Sequence, residues 1–178
     1  MTRLWTGKGD DGTTGLLYGG RAPKSSAQVE AVGAADEAQA AIGVARAAGV
    51  RGSELDAMLI AVERDLWVLM AELATAADHR SKLSEGRSLV SAEMVTALER
   101  VIVDVGSRFE LPEEFVVPGQ DRVSAALDLA RTIVRRAERR AQLVVPEGSQ
   151  ALPYLNRLSS LLWALARWTE GEPLATRT

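Results

Sequence analysis

Two stretches of this chain gather side chains that bind anions. The first, "TGKGDDGTTG" from Thr6 to Gly15, carries Lys8 inside it, and Lys24 follows. Glycine lets a backbone approach a ligand closely, threonine adds hydroxyls and lysine adds charge, which together suit a polyphosphate. A frayed glycine-rich terminus has the same composition, so on this stretch alone both readings stay open. The second, "ARTIVRRAERRAQ", places Arg131, Arg135, Arg136, Arg139 and Arg140 around Glu138. Spacings of four put several of them on common sides of a helix, where like charges repel by a few tenths of a kcal/mol per pair. Guanidinium forks match phosphate oxygens two at a time. In a chain of net charge -3, this concentration points to an anionic partner. The competing reading is a solvated face balanced by Glu138 and Asp128.

What is missing narrows the chemistry. There is no cysteine and one histidine, His79, in the polar connector "DHRSKLSEGRS", where a solvated loop residue is expected. A Ser-His-Asp triad has no support around His79. Glu-x-x-His pairs of carboxylate di-metal bundles are absent, so no protein metal site is expected. The frame "GKGDDGTT" has threonine where a Walker A loop has lysine, and no strand precedes it. An EF-hand is excluded as well, because its later ligands and closing glutamate are not in place. Any enzyme built on this chain uses chemistry that needs no strong protein acid, base or nucleophile. Asn156, within "YLNRLSSLLWALAR", is either an exposed helix residue or an amide that reads a ligand, and exposure is expected.

The elements that must position these groups are helical. The 178 residues suffice for one domain with a sizeable core. Serines near residue 26 open a first helix that Gly49 closes, and Ser53 opens a second with Leu55, Leu59, Val62, Leu66 and Leu69 in register. Ser91 caps a third, which "LPEEFVVPG" ends. A fourth runs from about 121 to 144, and a fifth starts near Ser149. Strand signals are nearly absent apart from "LLY" and "FVV". The expectation is an all-α, five-helix up-and-down bundle with mostly short connectors. It forms one domain over 1–178, with an irregular glycine-rich segment at 1–24 and the bundle at 25–171. At 47% hydrophobic and 25% charged residues, the composition is that of a soluble protein. No run approaches a membrane span, no signal-peptide pattern opens the chain, and the lack of cysteine fits a reducing compartment, so a cytoplasmic location is expected. The acidic balance argues against a dedicated nucleic-acid binder.

Taken in order, "TGKGDDGTTG", "EAVGAADEAQAAIG", "FVVPG", "ARTIVRRAERR" and "YLNRLSSLLWALAR" resemble the PduO-type ATP:cob(I)alamin adenosyltransferases over nearly the whole chain. The resemblance implies a ferritin-like bundle that assembles as a homotrimer, with ATP between adjacent subunits. It implies transfer of the 5′-deoxyadenosyl group of ATP, with Mg²⁺, to the Co(I) of cob(I)alamin, giving adenosylcobalamin and triphosphate. A non-catalytic adenosylcobalamin carrier is the alternative. By the same resemblance Thr6, Gly7, Lys8, Gly9, Thr14 and Gly15 wrap the nucleotide, while Lys24, Arg135, Arg136, Glu138, Arg139 and Asn156 complete its site. Asp36 pairs with Arg131 across the subunit boundary, and Phe115 presses beneath the corrin ring. A reductase and a cobalamin-dependent acceptor enzyme are implied partners. The chain departs from the family pattern T-x-T-G-D-x-G at Lys8, from D-E-L-N at Ala38 and Gln39, and from P-G-G-S at Gln120 and Asp121.

Overall fold

The computed structural model describes residues 4–176; residues 1–3 and 177–178 of the expected domain lie outside them. Two short strands, β1 (Thr13–Gly15) and β2 (Arg21–Pro23), precede five helices: α1 (Ala27–Ala48), α2 (Glu54–Leu73), α3 (Ala92–Gly106), α4 (Arg122–Ala141) and α5 (Ala151–Glu170). Serine side chains cap three of them, Ser26 on Val29 N–H, Ser53 on Asp56 N–H and Ser91 on Met94 N–H. Asp121 caps α4 and forms a reciprocal box with Ser124. Pro153 falls in the first turn of α5, where its missing N–H breaks no helical bond.

Small residues set the bundle's closest approach. Ala31, Ala34, Ala35, Ala38, Ala41 and Ala45 form the buried stripe of α1. Opposite them α4 buries Ala130, Val134, Ala137 and Ala141, and α1 with α4 is the most extensive helix pairing. With mostly alanine at the seam the two backbones can close, and the leucines of α2 and α5 fill the wider spaces. Two ion pairs cross this seam, Glu30 to Arg140 and Glu37 to Arg136. Their opposite numbering makes the two helices antiparallel. α4 also packs on α5, α5 on α3, and α1 on α2.

The connectors differ from the expectation. A polar segment at 74–91, containing a 3-10 helix at Ala77–Lys82, and a segment at 107–121 are both long. Buried carboxylates stitch them down. Glu72 is fully enclosed and accepts from Arg80 Nη2 (2.8 Å), Ser149 Oγ (2.7 Å) and the Val90 N–H (3.0 Å). Strands are also present, flanking the "LLY" run. Thr13, Thr14 and Gly15 pair with Pro23, Ala22 and Arg21, and Leu17 N–H donates to Ala74 C=O at 2.9 Å. The glycine-rich segment is therefore an ordered hairpin docked against the end of α2, since a frayed terminus would make no such bonds.

Candidate functional site

The N-terminal segment presents mostly backbone. Asp10 N–H donates to Gly7 C=O and Gly12 N–H to Gly9 C=O, both at 3.2 Å, which folds residues 7–12 into consecutive turns. Gly7 and Gly12 adopt positive φ, +72° and +80°, a region that side chains disfavour. Thr6 Oγ1 accepts from Lys8 N–H at 3.3 Å. Thr14 and Gly15 lie in the hairpin ladder. A Cβ placed on Gly9 would sit 3.2 Å from Lys24 Nζ, so the second lysine lies across the glycine turn although it is distant in sequence.

The arginines of α4 do not act as one cluster. Arg136 and Arg140 pair with Glu37 and Glu30 of α1, and Arg131 Nε donates to Asp128 Oδ1 at 3.2 Å. Acidic residues therefore do stand beside part of the run, from α1 as well as from Asp128. Glu138, expected as a balancing acid, instead accepts from Asn156 Nδ2 at 3.1 Å. Asn156 is half-buried and its Oδ1 accepts from Arg157, which corrects the expectation of an exposed amide. Arg135 and Arg139 make no ion pair among the described residues. Arg135 lines, with Arg131, a depression of about 520 Å³.

That depression is walled by Ile102, Phe109, Leu111 and Trp163, and Trp163 also borders a second one of about 570 Å³ that includes Phe115. Phe109 meets Trp163 edge-on at 6.2 Å, and Arg167 lies 5.8 Å from the Trp163 ring centre. Phe115 is 87% exposed, so it is not the core residue of a loop. Its loop is held from outside: Thr176 N–H donates to Phe115 C=O and Val117 N–H to Leu174 C=O, both at 2.8 Å. The pairing of Val116 with Ala175 is where "FVV" finds a strand partner, one too distant in the chain to leave a local signal. Neither depression takes a residue from the N-terminal segment.

A buried relay stands behind Arg131. Asp128 Oδ2 accepts from Arg167 Nη2 at 2.7 Å, and Glu170 accepts from Arg167 Nη2 at 3.0 Å. Asp36, by contrast, is exposed on α1; within one subunit the partner of Arg131 is Asp128. His79 is not a solvated loop residue: it sits in the 3-10 helix, half-buried, 3.5 Å from the Cβ position of Gly19. No group of three or more histidine, cysteine, aspartate or glutamate side chains could hold a metal ion among the described residues.

A bundle with a glycine-rich hairpin, an arginine helix and an aromatic-walled depression beside it is the architecture of a cobalamin adenosyltransferase. The family model described as cobalamin adenosyltransferase matches residues 4–169, and the chain belongs to that family. It is 40% identical over 172 residues to the corrinoid adenosyltransferase of Mycobacterium tuberculosis (strain ATCC 25618 / H37Rv), covering 94% of this chain and 88% of the relative. It is 37% identical over 179 residues to a corrinoid adenosyltransferase of Citrobacter freundii, covering 97% and 98%. Among solved structures it is similar to a Phe→Ala variant of a PduO-type ATP:corrinoid adenosyltransferase from Lactobacillus reuteri complexed with cobalamin and ATP. That match has a TM-score of 0.87 and 26% identity, and covers 99% of this chain and 100% of the other. An Arg→Lys variant of the Lactobacillus reuteri enzyme, complexed with ATP, matches with a TM-score of 0.85 and 27% identity, covering 98% and 100%.

Proposed function

We propose that this chain transfers the 5′-deoxyadenosyl group of ATP to the cobalt of cob(I)alamin. The observation that carries the reading is the matched pair of surfaces: a cationic glycine hairpin, and an arginine helix opening onto an aromatic-walled depression. The reaction forms a Co–C5′ bond and breaks the C5′–O bond, and triphosphate departs with the bonding electrons. Cobalt supplies the electron pair and ends formally as Co(III). Because the nucleophile belongs to the corrinoid, the protein needs only to bind, orient and stabilise charge, which accords with the absence of a triad. Lys8, Lys24 and Arg135 are the cations for the leaving triphosphate, and holding C5′ in line above cobalt contributes several kcal/mol. Mg²⁺ would enter with the triphosphate, since no carboxylate or histidine cluster among the described residues would hold it.

The wrapping residues Thr6 to Gly15 and the arginine depression draw on different elements, and we assign the complete site to two adjacent copies in a homotrimer. In that assembly Asp36 of one copy meets Arg131 of the next, and Asp128 holds the guanidinium in place beforehand. Arg135, Glu138, Arg139 and Asn156 take the nucleotide, Arg136 stands at its edge with its charge drawn to Glu37, and Phe115 takes the lower face of the corrin. No helix among the described residues is long and apolar enough to cross a membrane, and we assign the enzyme to the cytoplasm. A reductase that supplies Co(I) and a cobalamin-dependent acceptor are its expected partners. The test mixes purified protein, Mg-ATP and chemically reduced cob(I)alamin and follows the corrinoid spectrum. Appearance of the alkylcobalamin spectrum with stoichiometric triphosphate supports the reading. Binding of adenosylcobalamin without its formation leaves only a carrier.

A further inference from the structure

We infer that Arg21 is a positioning residue for the nucleotide segment: its guanidinium sets the peptide plane that turns the Gly9 N–H toward the bound polyphosphate. The inference rests on the ATP reading of the same segment. The hairpin needs such a device, because its strands are three residues each and two short strands alone are marginal in water. At the end nearest the glycine turns, Thr13 faces Pro23, which has no N–H to give the ladder.

Beyond Pro23 the Lys24 N–H still donates to Gly12 C=O at 2.9 Å, and one side chain supplies the further ties to residues 8, 11 and 13. Arg21 Nε donates to Thr13 Oγ1 at 2.8 Å, and its Nη2 donates to Lys8 C=O at 2.5 Å. The same Nη2 lies 3.4 Å from Asp11 Oδ1. Asp11 Oδ1 in turn accepts from Thr13 N–H (2.9 Å) and Thr13 Oγ1 (2.8 Å). These Thr13 bonds, with Arg21 beside them, hold the Asp11 carboxyl below the usual carboxylate range, so it stays charged. Three points of the turn, residues 8, 11 and 13, are fixed by one planar fork, a task that lysine's single ammonium cannot perform.

The consequence for the ligand follows from peptide geometry. C=O and N–H point in opposite directions across a planar trans peptide. With the Lys8 carbonyl turned onto Arg21, the Gly9 N–H points away from it. That N–H makes no hydrogen bond among the described residues, and the Lys24 ammonium lies beside the same glycine. A free amide and a cation thus belong to the same glycine turn, as an anion requires. The clamp is also exposed, with Arg21 and Asp11 side chains 42% and 61% accessible. Exposed ion pairs add little to global stability, so its effect belongs to loop shape rather than to the fold.

The experiment compares wild type, Arg21→Gln and Arg21→Lys by calorimetric Mg-ATP binding, by steady-state adenosylation and by thermal unfolding. Loss of charge-assisted bonds should raise the Kd and KM for ATP about tenfold in Arg21→Gln. The kcat at saturating ATP and the KM for corrinoid should stay within about twofold, and Tm within about 2 °C. Arg21→Lys should fall closer to Arg21→Gln than to wild type, because geometry and not charge is lost. Unchanged ATP binding in Arg21→Gln overturns the inference. Parallel loss of kcat, corrinoid KM and Tm overturns it too, since that is what a general fold support would do. If wild type binds ATP but forms no adenosylcobalamin, the transferase reading fails, and a tenfold binding loss in Arg21→Gln still supports the clamp.

Discussion

The N-terminal hairpin and the arginine face of α4 are both cationic, yet they are built in opposite ways. The hairpin buries a single residue, Ala22, among 13–15 and 21–23, and holds its shape with turns, backbone bonds and the Arg21 fork. The face of α4 stands on a packed alanine seam, and its cations are sorted by what lies across the seam. Arg136 and Arg140 are matched by α1 glutamates, whereas Arg135 faces a depression. A loop makes an anion site by shaping backbone, and a helix makes one by leaving a chosen cation unmatched. The first is sensitive to local ties and the second to which residues face each other across the bundle.

The largest effect should come at the joint on which the hairpin and the connectors between helices rest. Glu72 lies at the end of α2, close in sequence to Ala74 and Thr75, on which the hairpin docks. Its carboxylate joins Arg80, Val90 and Ser149 while fully buried. Glu72→Ala leaves those donors without their acceptor, a loss of about 3–5 kcal/mol. Thermal unfolding should record a drop in Tm of roughly 10 °C or more. A shift of only a degree or two would show that the connectors do not depend on this joint.

The second effect tests the sorting of arginines. Arg135→Ala should lower adenosyl transfer by about ten- to a hundredfold, the value of one charge-assisted phosphate contact. Arg136→Ala removes an exposed pair to Glu37, and its loss should be several-fold smaller. Both proteins should unfold at the wild-type temperature. Equal losses would break the comparison, because they would mean that pairing to α1 does not withdraw a cation from the site.

Periodicity made much of this legible in advance. The helix starts at Ser26, Ser53, Ser91 and Asp121 follow from capping chemistry, and the leucine and alanine stripes locate the core. The glycine turns and the arginine run stand out in the sequence because their residue types are costly without a partner, which Asp128 and the α1 glutamates supply to part of the run. What stayed hidden depends on long-range facing. Glu30 and Glu37 lie one heptad apart on α1, but nothing local says that they meet α4. Asn156 looks exposed until Glu138 is known to lie opposite. The three-residue strands are too short to leave an alternating pattern, and the partner of "FVV" is some sixty residues away (Val116 with Ala175).

The smallest effect is expected at Phe115, and its smallness is the point. A buried phenylalanine cut to alanine costs about 3–5 kcal/mol. Phe115 is 87% exposed and is held through its carbonyl by Thr176, a bond that alanine keeps. Phe115→Ala should therefore change stability by no more than about 0.5 kcal/mol, as a surface substitution does, and leave ATP binding unchanged. An exposed aromatic ring of that size, beside a depression shared with Trp163, offers a surface on which a flat apolar partner could stack. If that partner is the corrin, the variant should let water or the axial base return to Co(II), giving a five-coordinate spectrum. Transfer should then fall most when the reaction starts from Co(II), and less when preformed cob(I)alamin is supplied, because the reduction step is bypassed. Wild-type stability with an unaltered four-coordinate Co(II) spectrum would remove the corrin from Phe115. A loss of several kcal/mol would make Phe115 part of the bundle's packing after all, and the contrast between a shaped surface and a packed core would have to be drawn elsewhere.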